Sequence, residues 1–372
     1  MAVECATCDL YVCRVGRVDA APATCPMRGA FPDFDALYAS EGVRRLHYHA
    51  TRVESLGYGR WPRVREIVEV SRRVGYGRLG VAHCPDTRHE ARLAAARLEA
   101  GGLEVVLPPG DRCDPVAQAE RFGDASTQLN VVVGMCVGHD ALFVRHSAAP
   151  VTCLLVRDLR LRHNPAAALY TRTGYLKPAL YGRAYPWDGE APAGSPLLRE
   201  ADDPTLDRLA REVRETGRHL EPAPCRVEEV MAFARRGGAT HLGLVFCSGF
   251  REEARHLAAI LGTNGFRVSS ACCKTGSVPK ERIGIDDAWK VRPGRPEMLC
   301  NPMAQAELLE RERVDLVLLM GQCVGHDALT LTHLRTPAVF VVAKDRLLAH
   351  NTAAALYAED GAPSGWRDGR PR

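Results

Sequence analysis

Cysteines, histidines and aspartates recur in this chain at spacings that can hold a metal or activate a thiol. The stretch GMCVGHDAL runs from Gly134 to Leu142, and GQCVGHDAL from Gly321 to Leu329. At ordinary residue frequencies a shared seven-residue string is expected on the order of 10⁻⁴ times, so it marks a duplicated element. Each copy puts a cysteine, Cys136 or Cys323, three residues before a histidine, His139 or His326, and an aspartate follows at once. Thiolate and imidazole are ligands for zinc and iron, and a thiolate beside an imidazole is also an activated nucleophile. The histidines are equally readable as props that orient a neighbour. Two more duplicated cysteines precede each string, Cys84 and Cys113 in the first copy, Cys247 and Cys300 in the second. Each copy therefore offers three duplicated thiols. Four thiolates can close a site, whereas three leave a position for water or substrate. Beyond the strings lie Asp158 and Asp345, candidate catalytic carboxylates. His163-Asn164 and His350-Asn351 follow them as candidate cofactor-binding pairs.

A separate signal opens the chain. Cys5, Cys8, Cys13 and Cys25-Pro26 form C-x₂-C-x₄-C-x₁₁-C-P. Four thiolates in so short a run suit tetrahedral zinc or an iron–sulfur cluster, with iron–sulfur slightly favoured. The segment cannot build a core, so a metal would supply its folding energy. The stretch MAVECATCDLYVC has neither a basic n-region nor an apolar h-region, which points to a reducing, cytoplasmic setting. There, 14 cysteines mean metal or catalysis more often than disulfides. Cys153, inside an apolar run, and Cys225, beside Pro224, read instead as packed small hydrophobes.

The elements that must position these groups are also duplicated. Residues 63–105 match 226–268 at an offset of 163, and 113–170 continue at an offset of 187. The second copy therefore carries 24 extra residues, around ACCKTGSVPKERIGIDDAWKVRPGRP. Each copy alternates short apolar runs such as RLGVAHC and LNVVVGMC with Ala/Leu-rich amphipathic stretches. That pattern predicts α/β architecture: two tandem doubly wound, Rossmann-like units with parallel sheets covered on both faces. Asp140 is expected to cap a short helix. In such a sheet, ligands bind at the carboxyl ends of the strands, which is where the repeated cysteines fall. The expected organisation is a leader over 1–30, a first repeat over 31–186 and a connector with one amphipathic helix over 187–222. A second repeat over 223–360 and a tail over 361–372 complete it.

Composition removes several classes. The formal charge is +4 from 49 basic and 45 acidic residues, dispersed rather than striped, so nucleic acid is not an expected partner. No apolar run approaches the roughly 20 residues of a membrane span. Neither G-x-G-x-x-G nor a G-x-x-x-x-G-K-[ST] loop follows a first strand, so no nucleotide is expected.

The leader CATCDLYVC…CP, with FCSGFREEA, CCKTG, CNPMAQAE, GQCVGHDAL and AKDRLLAHN, resembles the family called domain of unknown function 1847, described as predicted metal-binding proteins. Its members look like one leader plus one α/β unit, whereas this chain looks like a leader with two. The resemblance implies metal binding and brings no established reaction. It also marks Cys273-Lys274-Thr275-Gly276 as the family's Cys-Lys-x-Gly element, absent from the first copy, which implies four thiolates in the second copy, Cys247, Cys273, Cys300 and Cys323, against three in the first. The combined expectation is a cytoplasmic metal-binding protein, iron–sulfur or zinc, acting as a redox or sulfur-transfer enzyme. It would serve a small-molecule substrate or redox partner, with the two copies paired as an internal pseudo-dimer. A non-catalytic metal or sulfur carrier is one alternative. A metal-free thiol enzyme using Cys136 and Cys323, with a structural zinc in the leader, is the other.

Overall fold

Alternating apolar strands and amphipathic helices fold, in the computed structural model, into two four-stranded sheets in which every pairing is parallel. Residues 3–109, 113–181 and 198–358 are described. The expected tail, the opening of the connector and the centre of the first copy's LPPGDRC segment lie outside them.

The first unit begins with helices α1 (Glu41–Leu56) and α2 (Arg63–Val74). Strand β1 (Arg78–His83), α3 (Arg88–Ala100), β2 (Glu104–Val106) and α4 (Pro115–Asp124) follow. It ends with β3 (Leu129–Val133), α5 (His139–His146) and β4 (Val151–Leu155). The second unit repeats this as α6 (Asp203–Arg218), α7 (Arg226–Arg236), β5 (His241–Phe246), α8 (Arg251–Thr263) and β6 (Arg267–Cys272). It closes with α9 (Pro302–Glu312), β7 (Leu316–Met320), α10 (His326–His333) and β8 (Ala338–Val342). Strand orders are β2-β1-β3-β4 and β6-β5-β7-β8. In each, the order reverses beside the first strand, so a crevice opens at the carboxyl ends of β1 and β3, or of β5 and β7. Strands β3, β4, β7 and β8 are buried along their whole length, as a sheet covered on both faces requires.

The two units exchange helices. On α1, Leu46, Ala50 and Val53 recur at helical spacing; the helix packs on α2 and crosses to α10 of the other unit. Helix α6, within the expected connector, packs on α7 and crosses to α5 in the same way. The crossings come so close that glycine is required. Gly138 has φ +86 and Gly325 φ +83. A Cβ on Gly138 would lie 2.7 Å from Ala210, and one on Gly325 2.8 Å from Ala50.

A reciprocal clasp locks the units together. Arg63, at the start of α2, is buried and pairs with Asp327 at 2.7 Å, also donating to the Gln322 and Lys344 carbonyls. Its counterpart Arg226, at the start of α7, pairs with Asp140 and donates to the Met135 and Phe340 carbonyls. Asp140 is thus no helix cap. Gly138 occupies that position without a side-chain bond, because a buried guanidinium competes for the carboxylate and wins. Asp158 accepts the Arg226 backbone N–H at 2.8 Å, and Asp345 accepts that of Arg63 at 2.8 Å. Each therefore caps a helix of the other repeat. The leader docks on the second unit, where Glu4 bridges to Ser270 and Ala6 N–H donates to the Ser270 hydroxyl at 2.9 Å. No helix among the described residues is long and apolar enough to cross a membrane.

Candidate metal centre

Two strand ends and two helix starts converge in the first repeat. Cys84 follows β1, Cys113 precedes α4, Cys136 follows β3 and His139 opens α5. All four are buried, and one ligand atom from each lies within 4.8 Å of the others. The Cys84 Sγ stands 2.9 Å from Cys113 and 3.4 Å from Cys136. The His139 Nδ1 stands 2.9 Å from Cys113 and 3.0 Å from Cys136. Three thiols and one imidazole at these separations match the donor set of a tetrahedral zinc or iron site. His139 thus fills the position that a three-thiolate site would leave open.

Behind the ring stands a residue that sequence reasoning missed. Asp207, on α6, places a carboxylate oxygen 3.3 Å from the His139 Nε2. The contact is an ion pair rather than a well-aligned hydrogen bond. A carboxylate behind a ligand histidine fixes its orientation and makes it more basic. Burial opposes charge on His139, yet the Cys136 thiolate and Asp207 raise its pKa well above the ordinary value. Burial likewise opposes ionisation of Cys136, but hydrogen bonds from Cys113 and Cys84 and the His139 charge hold it well below.

The second repeat arranges the same residue types differently. Lys344 Nζ lies 2.8 Å from the Cys247 Sγ and 2.9 Å from the Cys323 Sγ, an ammonium between two thiols. Lys274 reaches Cys300 at 3.3 Å and Arg346 reaches Cys323 at 3.3 Å. Cys273 and Cys300 stand 3.7 Å apart. The first-repeat counterpart of Lys344 is Arg157, which turns instead to Asp86 and Glu229 at 3.0 and 2.8 Å. Gly249 stands where the first repeat has Asp86, so the second repeat lacks that carboxylate and its cation falls to the thiols. His326 is buried, with Nε2 3.4 Å from the Thr51 hydroxyl and Nδ1 without a hydrogen-bond partner. Contact with Cys273, aided by the Lys274 charge, holds the Cys300 thiol well below its usual pKa.

In the leader, Cys5, Cys8, Cys13 and Cys25 share the lining of a cavity of about 30 Å³ with Tyr11 and a fifth cysteine, Cys272. Cys272 ends β6 and faces the leader, while its neighbour Cys273 faces the second repeat's thiols. Burial, then the nearby Cys13 thiol, raises Cys272 well above the usual value. All 14 cysteines are free thiols. The remaining candidates do not join a thiol cluster. Besides their cross-repeat bonds, Asp158 accepts from Leu161 N–H and Asp345 from the N–H groups of Leu347 and Leu348. His163 and His350 close the same turns, each accepting an aspartate backbone N–H at 3.2 Å. Asn164 and Asn351 each bury a side-chain oxygen without a partner.

The family model for a protein of unknown function (DUF1847) matches residues 27–107, 109–154 and 196–341. The chain belongs to this family. An uncharacterized protein, MJ0455 of Methanocaldococcus jannaschii, is 38% identical over 132 residues, which span 36% of this chain and 66% of that protein. Among solved structures, Dph2 from Pyrococcus horikoshii with a 4Fe-4S cluster aligns over 81% of this chain and 92% of its own. Identity there is 12% and the TM-score 0.23. A LacI-family transcription repressor from Corynebacterium glutamicum aligns over 75% and 89%, at 10% identity and a TM-score of 0.20. Likenesses this slight carry no inference about cofactor or reaction. The chemistry of this DUF1847 member must come from its own side chains.

Proposed function

We propose that the protein is a cytoplasmic metalloenzyme of redox or sulfur-transfer type, with a metal centre in the first repeat and reactive thiols in the second. The observation that carries this reading is the buried convergence of Cys84, Cys113, Cys136 and His139, with all four donor atoms within 4.8 Å. That set suits one tetrahedral ion, zinc or iron. The leader cavity, lined by five thiols and no imidazole, with Glu4 its single carboxylate among the described residues, suits a soft thiolate-rich centre, for which an iron–sulfur cluster is favoured. Such a cluster would supply one-electron transfer. In the second repeat, Lys344 lies against the Cys247 and Cys323 thiols, and Lys274 beside Cys300 helps hold that thiol well below its usual pKa. Thiolates so held are nucleophiles for sulfur transfer and, in pairs, two-electron donors. The pairing of Lys344 with thiols also favours a second reading for that repeat, a thiol enzyme needing no metal of its own. The reciprocal arginine–aspartate pairs support an internal pseudo-dimer as the working unit.

The test is anaerobic purification with iron, zinc and acid-labile sulfide counted per chain, for the wild type, Cys136→Ala and Cys323→Ala. The expected result is loss of about one ion equivalent in Cys136→Ala and none in Cys323→Ala. A wild-type chain without metal, or metal lost only with Cys323→Ala, would overturn the assignment.

A further inference from the structure

The 24-residue insertion of the second copy has no role in the metal centre, and the structure gives it one. A cavity of about 480 Å³ opens beside Cys247, and its wall includes Lys274, Lys280, Arg292 and Arg295, all from the segment around the insertion. Arg14 from the leader and Arg346 from beyond β8 bring the lining cations to six, against two carboxylates, Glu54 and Glu297. The surplus of four equals the formal charge of the whole chain. Both carboxylates are already engaged: Glu297 pairs with Lys280 at 2.9 Å and Glu54 with Arg346 at 3.1 Å. Lys274 donates to the Met298 carbonyl and the Cys300 thiol. Among the described residues, no carboxylate pairs with Lys274, Arg14, Arg292 or Arg295. The wall is well anchored. Lys290 pairs with Glu281 at 2.6 Å, Pro279 bridges to Met298, and the Trp289 ring lies 3.8 Å under Arg52. Cations gathered in a concave, partly desolvated site concentrate and orient negative ligands.

We propose that this pocket binds a small organic anion carrying at least two negative charges, a phosphate ester or a polycarboxylate, and presents it to the Cys247 thiol. The inference rests on reading the second repeat as the reactive pocket, and it names the substrate class of that pocket. The first repeat carries no equivalent of the insertion, so anion binding belongs to one repeat only.

The experiment is titration calorimetry on the full chain with glycerol 3-phosphate and succinate, which separate phosphate from carboxylate recognition, and with putrescine as a dication of similar size. The expected result is saturable binding of at least one dianion and none of putrescine. The double variant Arg292→Ser/Arg295→Ser should weaken it about tenfold, and 0.5 M salt should weaken it comparably. Both arginines are exposed, and an unchanged circular dichroism spectrum certifies the fold. Absence of binding by both dianions up to about 10 mM, or binding unmoved by the double variant and by salt, would overturn the proposal. The metal count of the same variant is expected to equal the wild type's, so failure here is distinct from failure of the metal assignment.

Discussion

Replacing Arg226 with methionine tests the clasp between the repeats. Arg226 is fully buried, pairs with Asp140 and donates to the carbonyls of Phe340 and Met135 at 2.9 and 3.1 Å. Methionine keeps much of the volume but strands a buried carboxylate, which costs about 3–5 kcal/mol. Two carbonyls left unpaired add about 2 kcal/mol, for a total of about 5–7 kcal/mol. That is a large share of the roughly 5–15 kcal/mol by which folded proteins are stable. Adding Asp140→Asn removes the stranded charge while the amide oxygen still accepts the Phe340 N–H, which Asp140 now binds at 3.1 Å. The double variant is therefore expected to regain about 2 kcal/mol over Arg226→Met. The assay is urea unfolding of the wild type, both single variants and the double variant at equal metal load. A loss under about 1 kcal/mol for Arg226→Met, or single effects that add to within about 0.5 kcal/mol, would refute the reasoning.

Three further outcomes are expected. Asp207→Asn should lower metal affinity in the first repeat about 10- to 100-fold, read by chelator competition, because it removes the carboxylate behind His139 while leaving every ligand in place. Cys272→Ser should reduce the leader's metal and sulfide content while the metal dependent on Cys136 stays, read by elemental analysis of the double variant with Cys136→Ala. The third concerns pH in metal-free protein. Burial alone would lower the His326 pKa, but the Cys300 and Cys323 thiolates raise it to about 10 from an ordinary 6.5. The imidazolium thus stabilises the fold fully below the ordinary value, and that contribution is lost as pH rises through about 10. The difference in urea midpoint between the wild type and His326→Gln should shrink steadily from neutral pH to that point.

Strand and helix alternation was legible in the sequence because hydrophobic periodicity is local. The duplicated cysteines were legible as one sheet edge because that edge follows from strand direction alone. Helix exchange was not legible: the matched register begins at Arg63 and Arg226, so it covers neither α1 nor α6 and cannot say which unit each packs on. The partners of Asp158 and Asp345 were not legible either, since they are backbone groups of the other repeat. A signal did exist, for Arg63 and Arg226 are retained at the duplication's own spacing. His139 as fourth donor was open to sequence reasoning but balanced against a propping role, and the approach of Nδ1 to two thiols is what favours the donor role. Cys272 could have been assigned from alternation, because consecutive residues at a strand end face opposite sides. Asp207 and Lys344 left no such trace, since their roles depend on how far a helix or loop reaches in space.

A duplicated gene segment ordinarily creates a spare that can decay while the original works. The exchanged arginines and crossing helices deny this chain that freedom. Deleting either copy would strip the survivor of its buried guanidinium and of the helix that covers its CVGHDAL turn. Both scaffolds must then be kept whatever becomes of their pockets. A copy protected from loss can wander chemically. One half places an imidazole and a carboxylate beside its thiols, while the other has glycine where the first has an acid beside its cation, and surrounds its thiols with lysine and arginine.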